Sequence, residues 1–183
     1  MQTEVIMSGF GGQGLMIIGK LLAWAGLEEG KSVTWLPSYG PEMRGGTANC
    51  TVVIADHPIG SPLISSPRAA VVMNQPSLEK FAPTLRKDGI LVVNSSMIPV
   101  NSDRKDLRCF RIKANDIASE MGNRKSANLV MLGAFVGLDE VVSHNTLIKA
   151  IKKTFASKKQ FIDVNCKTFK KGYDMAKAGK SDA

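Results

Sequence analysis

The sequence predicts a layered α/β fold, a mostly parallel sheet covered by helices, with a helical C-terminal part. Three observations predict it. Short, wholly apolar runs, Ala69–Met73 and Ile90–Val93, read as strands buried on both faces. They alternate with stretches of helical periodicity. The first strand and first helix are joined by Gly9-Phe10-Gly11-Gly12-Gln13-Gly14, the strand–glycine turn–helix order that makes an anion-accepting helix N-terminus in Rossmann-like folds.

The elements follow in order. Thr3–Ser8 is the first strand. Leu15–Glu29 carries Leu15, Ile18, Leu22 and Ala25 at near-helical spacing and stops at Gly30. Ser32–Leu36 is a strand that ends at Pro37, and Thr47–Ala55 is β-rich around Thr51-Val52-Val53-Ile54. Asp56–Pro67, with three prolines, is a loop. After the strand at Ala69–Met73, Pro76–Lys87 is helical in composition, with Pro83 expected to shorten or kink it. Asp88-Gly89 turns into Ile90–Val93, and Leu107–Ile112 alternates as a further strand. From Asn115 the period changes: Asp116–Met121, Asn128–Leu138, Thr146–Phe155 and Gln160–Lys177 read as helices. No repeat or linker divides the chain, so residues 1–183 are expected to form one domain.

Composition narrows the function classes. With 44% apolar and 22% charged residues the chain reads as an ordinary globular protein. No apolar run is long enough for a bilayer, and Met1-Gln2-Thr3-Glu4 leads straight into a strand, so neither membrane insertion nor secretion is expected. Cys50, Cys109 and Cys166 are widely separated and form no CxxC pair. Iron–sulfur clusters need about four thiolates, so none is expected on this chain, and a cytoplasmic location is the natural reading. The net charge is +8, much of it from C-terminal lysines. They are a solvated helix face, or they steer an anionic ligand or acidic partner. They are not interleaved with arginine and aromatics as a nucleic-acid platform would require, so no nucleic acid is expected.

Gly9, Gly11 and Gly14 fit G-x-G-x-x-G. A dinucleotide site also needs an acidic residue at the end of the second strand, and that strand ends at Leu36-Pro37-Ser38. A hydride-transferring NAD enzyme is therefore disfavoured. A second glycine turn, Ser38-Tyr39-Gly40-Pro41-Glu42-Met43-Arg44-Gly45-Gly46, places one guanidinium in closely approachable backbone. His57 and His144 lack companions at metal-ligand spacing, and no G-x-S-x-G elbow supports a hydrolase.

These two turns and a third block, Ala127-Asn128-Leu129-Val130-Met131-Leu132-Gly133-Ala134, resemble the gamma subunit of 2-oxoacid:ferredoxin (acceptor) oxidoreductases, most closely the 2-oxoglutarate type. Pro58-Ile59-Gly60-Ser61-Pro62 and Gly89 through Asn94-Ser95-Ser96 fit as well, so the resemblance spans nearly the whole chain. Arg68, where an acidic residue often stands, and the lack of a proline near Lys113-Ala114 depart from the pattern. The resemblance implies oxidative decarboxylation of a 2-oxoacid, with transfer of the acyl group to coenzyme A, by a multi-chain enzyme in which this chain is inactive alone. It implies alpha, beta and ferredoxin-like delta subunits as partners, with thiamine diphosphate and iron–sulfur clusters on them. Substrate order is 2-oxoglutarate first, then pyruvate and branched-chain 2-oxoacids.

Under that resemblance the candidate cofactor-binding residues are Gly11, Gly12, Gln13, Gly14, Tyr39, Arg44, Gly45 and Gly46, with coenzyme A as the candidate ligand. No catalytic and no metal-binding residue is expected. The backbone N–H groups of Gly11 to Gly14 bind phosphate or hold a neighbouring subunit's loop. Arg44 forks onto a phosphate or carboxylate, or makes an interface or internal ion pair. Asn128 is expected to cap the helix that begins there, with a contact across the interface as the alternative. The alternative is a free-standing nucleotide- or coenzyme-binding module.

Overall fold

The computed structural model describes residues 1–39 and 46–182. Six strands form one sheet: β1 (Gln2–Phe10), β2 (Ser32–Tyr39), β3 (Thr47–Ala55), β4 (Ala69–Val72), β5 (Ile90–Asn94) and β6 (Arg108–Ile112). Their spatial order is β2-β3-β1-β4-β5-β6. β1, β4, β5 and β6 pair in parallel, and β3 runs antiparallel to both β1 and β2. The helices are α1 (Leu15–Glu28), α2 (Gln75–Phe81), α3 (Ala114–Glu120), α4 (Ala127–Asp139), α5 (His144–Thr154) and α6 (Ile162–Lys177). The expected α/β architecture and helical C-terminal part are present.

Pleating divides the core into two. Val5, Met7, Val71 and Val92 point to one face and pack with α1, α3, α4 and α5. Ile6, Ala70, Val72, Leu91 and Val93 point to the other, where α2 and the segment around Ile98 and Leu107 cover them. Burial on both faces explains why β4 and β5 read as unbroken apolar runs. Each such buried side chain contributes about 1.5–3 kcal/mol.

Most boundaries follow local chemistry. α2 starts at Pro76 in its first turn, with Asn74 Oδ1 accepting from Ser77 N at 3.0 Å. It ends at Phe81, short of the expected Lys87, because Pro83 allows only a 3₁₀ turn over Ala82–Thr84. β2 runs past Pro37 to Tyr39; it is an edge strand, where a missing N–H is tolerated. α3 lacks a cap of its own; Ser96 Oγ, from the loop after β5, accepts from Asn115 N at 3.2 Å. Arg68, the departure noted in sequence, donates from Nε and Nη2 to Asp139 Oδ1 at 3.0 and 2.9 Å and ties β4 to the end of α4.

α4 is buried from Ala127 to Gly137 because the sheet lies on one side and α6 on the other. The two helices touch backbone to backbone. A Cβ on Gly133 would strike the Phe169 carbonyl, and one on Gly172 would strike that of Val130. No helix among the described residues is long and apolar enough to cross a membrane.

The chain leaves β1 through α1 towards β2 and leaves β4 through α2 on the opposite face. The C-terminal ends of β1 and β4 are therefore a topological switch point, where open α/β sheets form their ligand crevice.

Candidate functional site

The first glycine turn leaves β1 at that crevice. Gln13 closes it: its Oε1 accepts from Phe10 N at 2.6 Å, and its own N–H donates to Phe10 O at 3.2 Å. The carboxamide occupies the space a side chain at Gly9 would need. Gly12 and Gly14 have φ of 98° and 77°, the left-handed region that an L side chain rarely adopts. Gly14 is the N-cap of α1, which has no side-chain cap and no acidic residue in its first turn. The positive end of the helix dipole is thus left open.

Of the N–H groups from Gly11 to Gly14, two are engaged within the chain. Gly11 N donates to Gly46 O at 2.9 Å, and Gln13 N is used inside the turn. Those of Gly12 and Gly14 find no backbone acceptor among the described residues. The bond from Gly11 also joins the two glycine turns. β2 ends at Tyr39, Gly46 precedes β3, and Phe10 stands opposite Thr47, so the flanks of the second turn lie at the same sheet end as the first. Arg44 and Gly45 lie outside the described residues.

Beside the first turn a cleft of about 550 Å³ opens between it, the α3–α4 junction and the α5–α6 connection. The N-terminus of α4 meets that of α1 there. Asn128 Nδ2 donates to Gly14 O at 3.0 Å, and Asn128 Oδ1 accepts from Leu129 N at 2.9 Å. Asn128 therefore sits one residue inside α4, whose N-cap position is Ser126 without a side-chain cap, and it clamps the two helix starts together rather than acting as the N-cap. Arg124, Lys125 and Lys158 line the cleft, and among the described residues no carboxylate does. Ile17 and Phe161, 41% and 39% exposed, supply apolar surface. Two helix N-termini, free N–H groups and three cations around an apolar patch suit a ligand with phosphates and an apolar part. The lining offers no nucleophile paired with a base, so the cleft is built to bind and orient.

Sequence reasoning missed Arg124, Lys125, Lys158, Phe161 and Asn165. Asn165, 2% exposed, accepts from Asn123 Nδ2 at 3.1 Å and holds α6 to the α3–α4 junction. The available signal was the Arg124-Lys125 pair directly before Ala127-Asn128; Lys158 was merged with the lysine-rich face. His144 packs on Phe169 and Tyr173 at ring separations of 5.5 and 4.8 Å. The sheet order also bears on dinucleotide binding: β3 separates β1 from β2, so the end of β2 is one strand too distant for a ribose contact.

Cys50 is wholly buried against α1, its Sγ donating to Leu15 O at 3.5 Å, and burial pushes its thiol up to about 12. Among the described residues no three His, Cys, Asp or Glu side chains are grouped to hold a metal ion.

Comparison with known proteins places this geometry. Residues 4–175 match the pyruvate ferredoxin/flavodoxin oxidoreductase family. The ketoisovalerate oxidoreductase subunit VorA of Methanothermobacter marburgensis is 39% identical over 181 residues, 96% of this chain and 37% of that protein. The chain thus spans well under half the length of that relative. The 2-oxoglutarate synthase subunit KorC of Methanocaldococcus jannaschii is 34% identical over 97% of this chain and 95% of its own length. Among solved structures, a keto/oxoacid ferredoxin oxidoreductase gamma subunit from Geobacter sulfurreducens superposes with a TM-score of 0.87 at 29% identity, covering 97% of this chain and 98% of that one. A 2-oxoglutarate:ferredoxin oxidoreductase from Magnetococcus marinus, with 2-oxoglutarate, coenzyme A and succinyl-CoA bound, shares the fold with a TM-score of 0.89 at 23% identity, over 99% of this chain and 32% of that one. On the match over residues 4–175 and the near full-length similarity to KorC, the chain belongs to the pyruvate ferredoxin/flavodoxin oxidoreductase family, as a member of its gamma-subunit type.

Proposed function

We propose that this chain is the gamma subunit of a multi-subunit, thiamine diphosphate-dependent 2-oxoacid:ferredoxin or acceptor oxidoreductase, and that its cleft receives coenzyme A. The observation that carries the coenzyme A reading is the cleft itself: joined N-termini of α1 and α4 and, among the described residues, three cations and no carboxylate in the lining. In this reading the phosphates lie over Gly12, Gly14 and the Arg124–Lys125 pair, Lys158 holds the opposite rim, and Ile17 and Phe161 take the apolar arm. Tyr39 and Gly46 flank the second turn at the same sheet end, and Arg44 and Gly45, which lie outside the described residues, are proposed to act with them. The coenzyme supplies the thiol that accepts the acyl group; this chain's residues position it. The carbon–carbon bond is broken on the partner chains, which hold thiamine diphosphate and the clusters. The 2-oxoglutarate reading is supported by the similarity to KorC, and a branched-chain reading by the higher identity to VorA.

The test is co-purification from the native source with larger thiamine- and cluster-binding chains, followed by coenzyme A-dependent oxidation assays. Ketoisovalerate, 2-oxoglutarate and pyruvate are compared as substrates. A chain that is alone, monodisperse and fully active on a small molecule refutes the proposal. Thermal stabilisation by NAD alone, with none by coenzyme A, favours a free-standing nucleotide module instead.

A further inference from the structure

The chain's charge is concentrated on one structure. Residues 144–177, spanning α5, its connection and α6, hold nine lysines against Asp163 and Asp174, while the whole chain carries +8. Asp163, the one carboxylate among the described residues lining the groove between α5 and α6, is already engaged by Lys167 at 2.6 Å. Between the two helices runs an open groove of about 590 Å³ on the side of the connection away from the coenzyme cleft. Its floor is Ile148, Ile162 and Cys166, all half-buried, with Ala156 beside them. Lys152 and Lys159 stand exposed on its rim and make no ion pair among the described residues. An apolar floor between unpaired cations is complementary to a segment with an apolar stripe flanked by carboxylates.

We infer that this α5–α6 groove is the docking site for an acidic amphipathic segment of a partner subunit. The inference rests on the reading of the chain as one subunit of several. A second copy of the chain is disfavoured, because it would set the same lysines against each other. Residues 144–177 contain no arginine, the residue that forks onto phosphate, and the rim lysines are point charges suited to carboxylates.

The experiment uses the co-expressed multi-chain complex. Zero-length carbodiimide coupling, which joins lysine to carboxylate only in direct contact, is followed by mass spectrometry. Partner affinity is then compared for wild type, for Lys152→Glu with Lys159→Glu, and for Lys87→Glu with Lys105→Glu, an equal charge change on another surface. The expected result is coupling of Lys152 or Lys159 to a partner Asp or Glu. Partner affinity should fall about a hundredfold in the groove variant and less than about threefold in the control. Reversing the coupled partner carboxylate to lysine should restore binding to the groove variant. Equal losses in both variants, or no loss in either, overturn the inference while leaving the multi-subunit reading intact. Failure of the wild-type chain to assemble with any such partner overturns both. Tight, groove-dependent retention on duplex DNA or on phosphatidylserine vesicles at physiological salt, without partner coupling at Lys152 or Lys159, also overturns it.

Discussion

Replacing Gly14 by alanine tests whether the clamp between the two helix starts holds the cleft together. Gly14 sits at φ 77°, where a Cβ costs about 1–2 kcal/mol. That Cβ would also collide with the Asn128 carboxamide, which donates to Gly14 O at 3.0 Å. Displacing it removes a hydrogen bond worth about 0.5–1.5 kcal/mol. The sum is about 1.5–3.5 kcal/mol. Gly12 is the internal control: its φ is 98°, yet a Cβ there meets nothing within 4 Å, so Gly12→Ala should cost only the backbone part, about 1–2 kcal/mol. Urea unfolding of both variants measures the difference. With a slope of about 2 kcal/mol per molar, Gly14→Ala should lower the midpoint by about 0.75–1.75 M and Gly12→Ala by about 0.5–1 M. Adding Asn128→Ala to each should reveal coupling with Gly14→Ala and additivity with Gly12→Ala. Equal midpoints for the two glycine variants, or additivity in both, would refute the clamp.

Three further outcomes are expected. Gly133→Ala drives a methyl into the Phe169 carbonyl, a rigid backbone group, and should destabilise by about 3 kcal/mol or more, read from the same urea curves. Arg68→Ala strands the Asp139 carboxylate, whose side chain is 2% exposed, and should cost about 2–3 kcal/mol; Asp139→Asn in the same chain should recover part of it. Cys50 ionises near 9 when unfolded and near 12 when folded, so its contribution is intact below pH 9 and lost as pH rises through that window. Between pH 8 and pH 10 the wild type should lose about 1.4 kcal/mol more than Cys50→Ala; parallel losses would show that the thiol is not responsible.

Legibility differed between elements for physical reasons. β4 and β5 were readable because double-sided burial leaves no polar position to confuse the pattern, and Thr47–Ala55 was placed to the residue. The first turn was readable because Gly12 and Gly14 are required by backbone conformation. What lay hidden depended on contacts distant in sequence. Nothing near Asn128 in the chain reveals that its partner is the Gly14 carbonyl. Lys158 reads as one lysine of many until the α5–α6 connection brings it to the cleft that Gly12 and Gly14 also line. The order of strands was also hidden: β3 inserts between β1 and β2 and changes what the end of β2 can reach. The sequence blocks marked the glycine half of the cleft, whereas the cationic half required the fold.

The central claim is that the cleft beside Gly12 and Gly14 takes the phosphates of coenzyme A. Steady-state kinetics of the assembled enzyme carrying Arg124→Ala and Lys158→Ala address it most directly. Each charged contact is worth about 1.5–3 kcal/mol, so the Michaelis constant for coenzyme A should rise by about a hundredfold or more, with that for the 2-oxoacid unchanged. An unchanged constant for coenzyme A, or an equal rise for both substrates, would contradict the account.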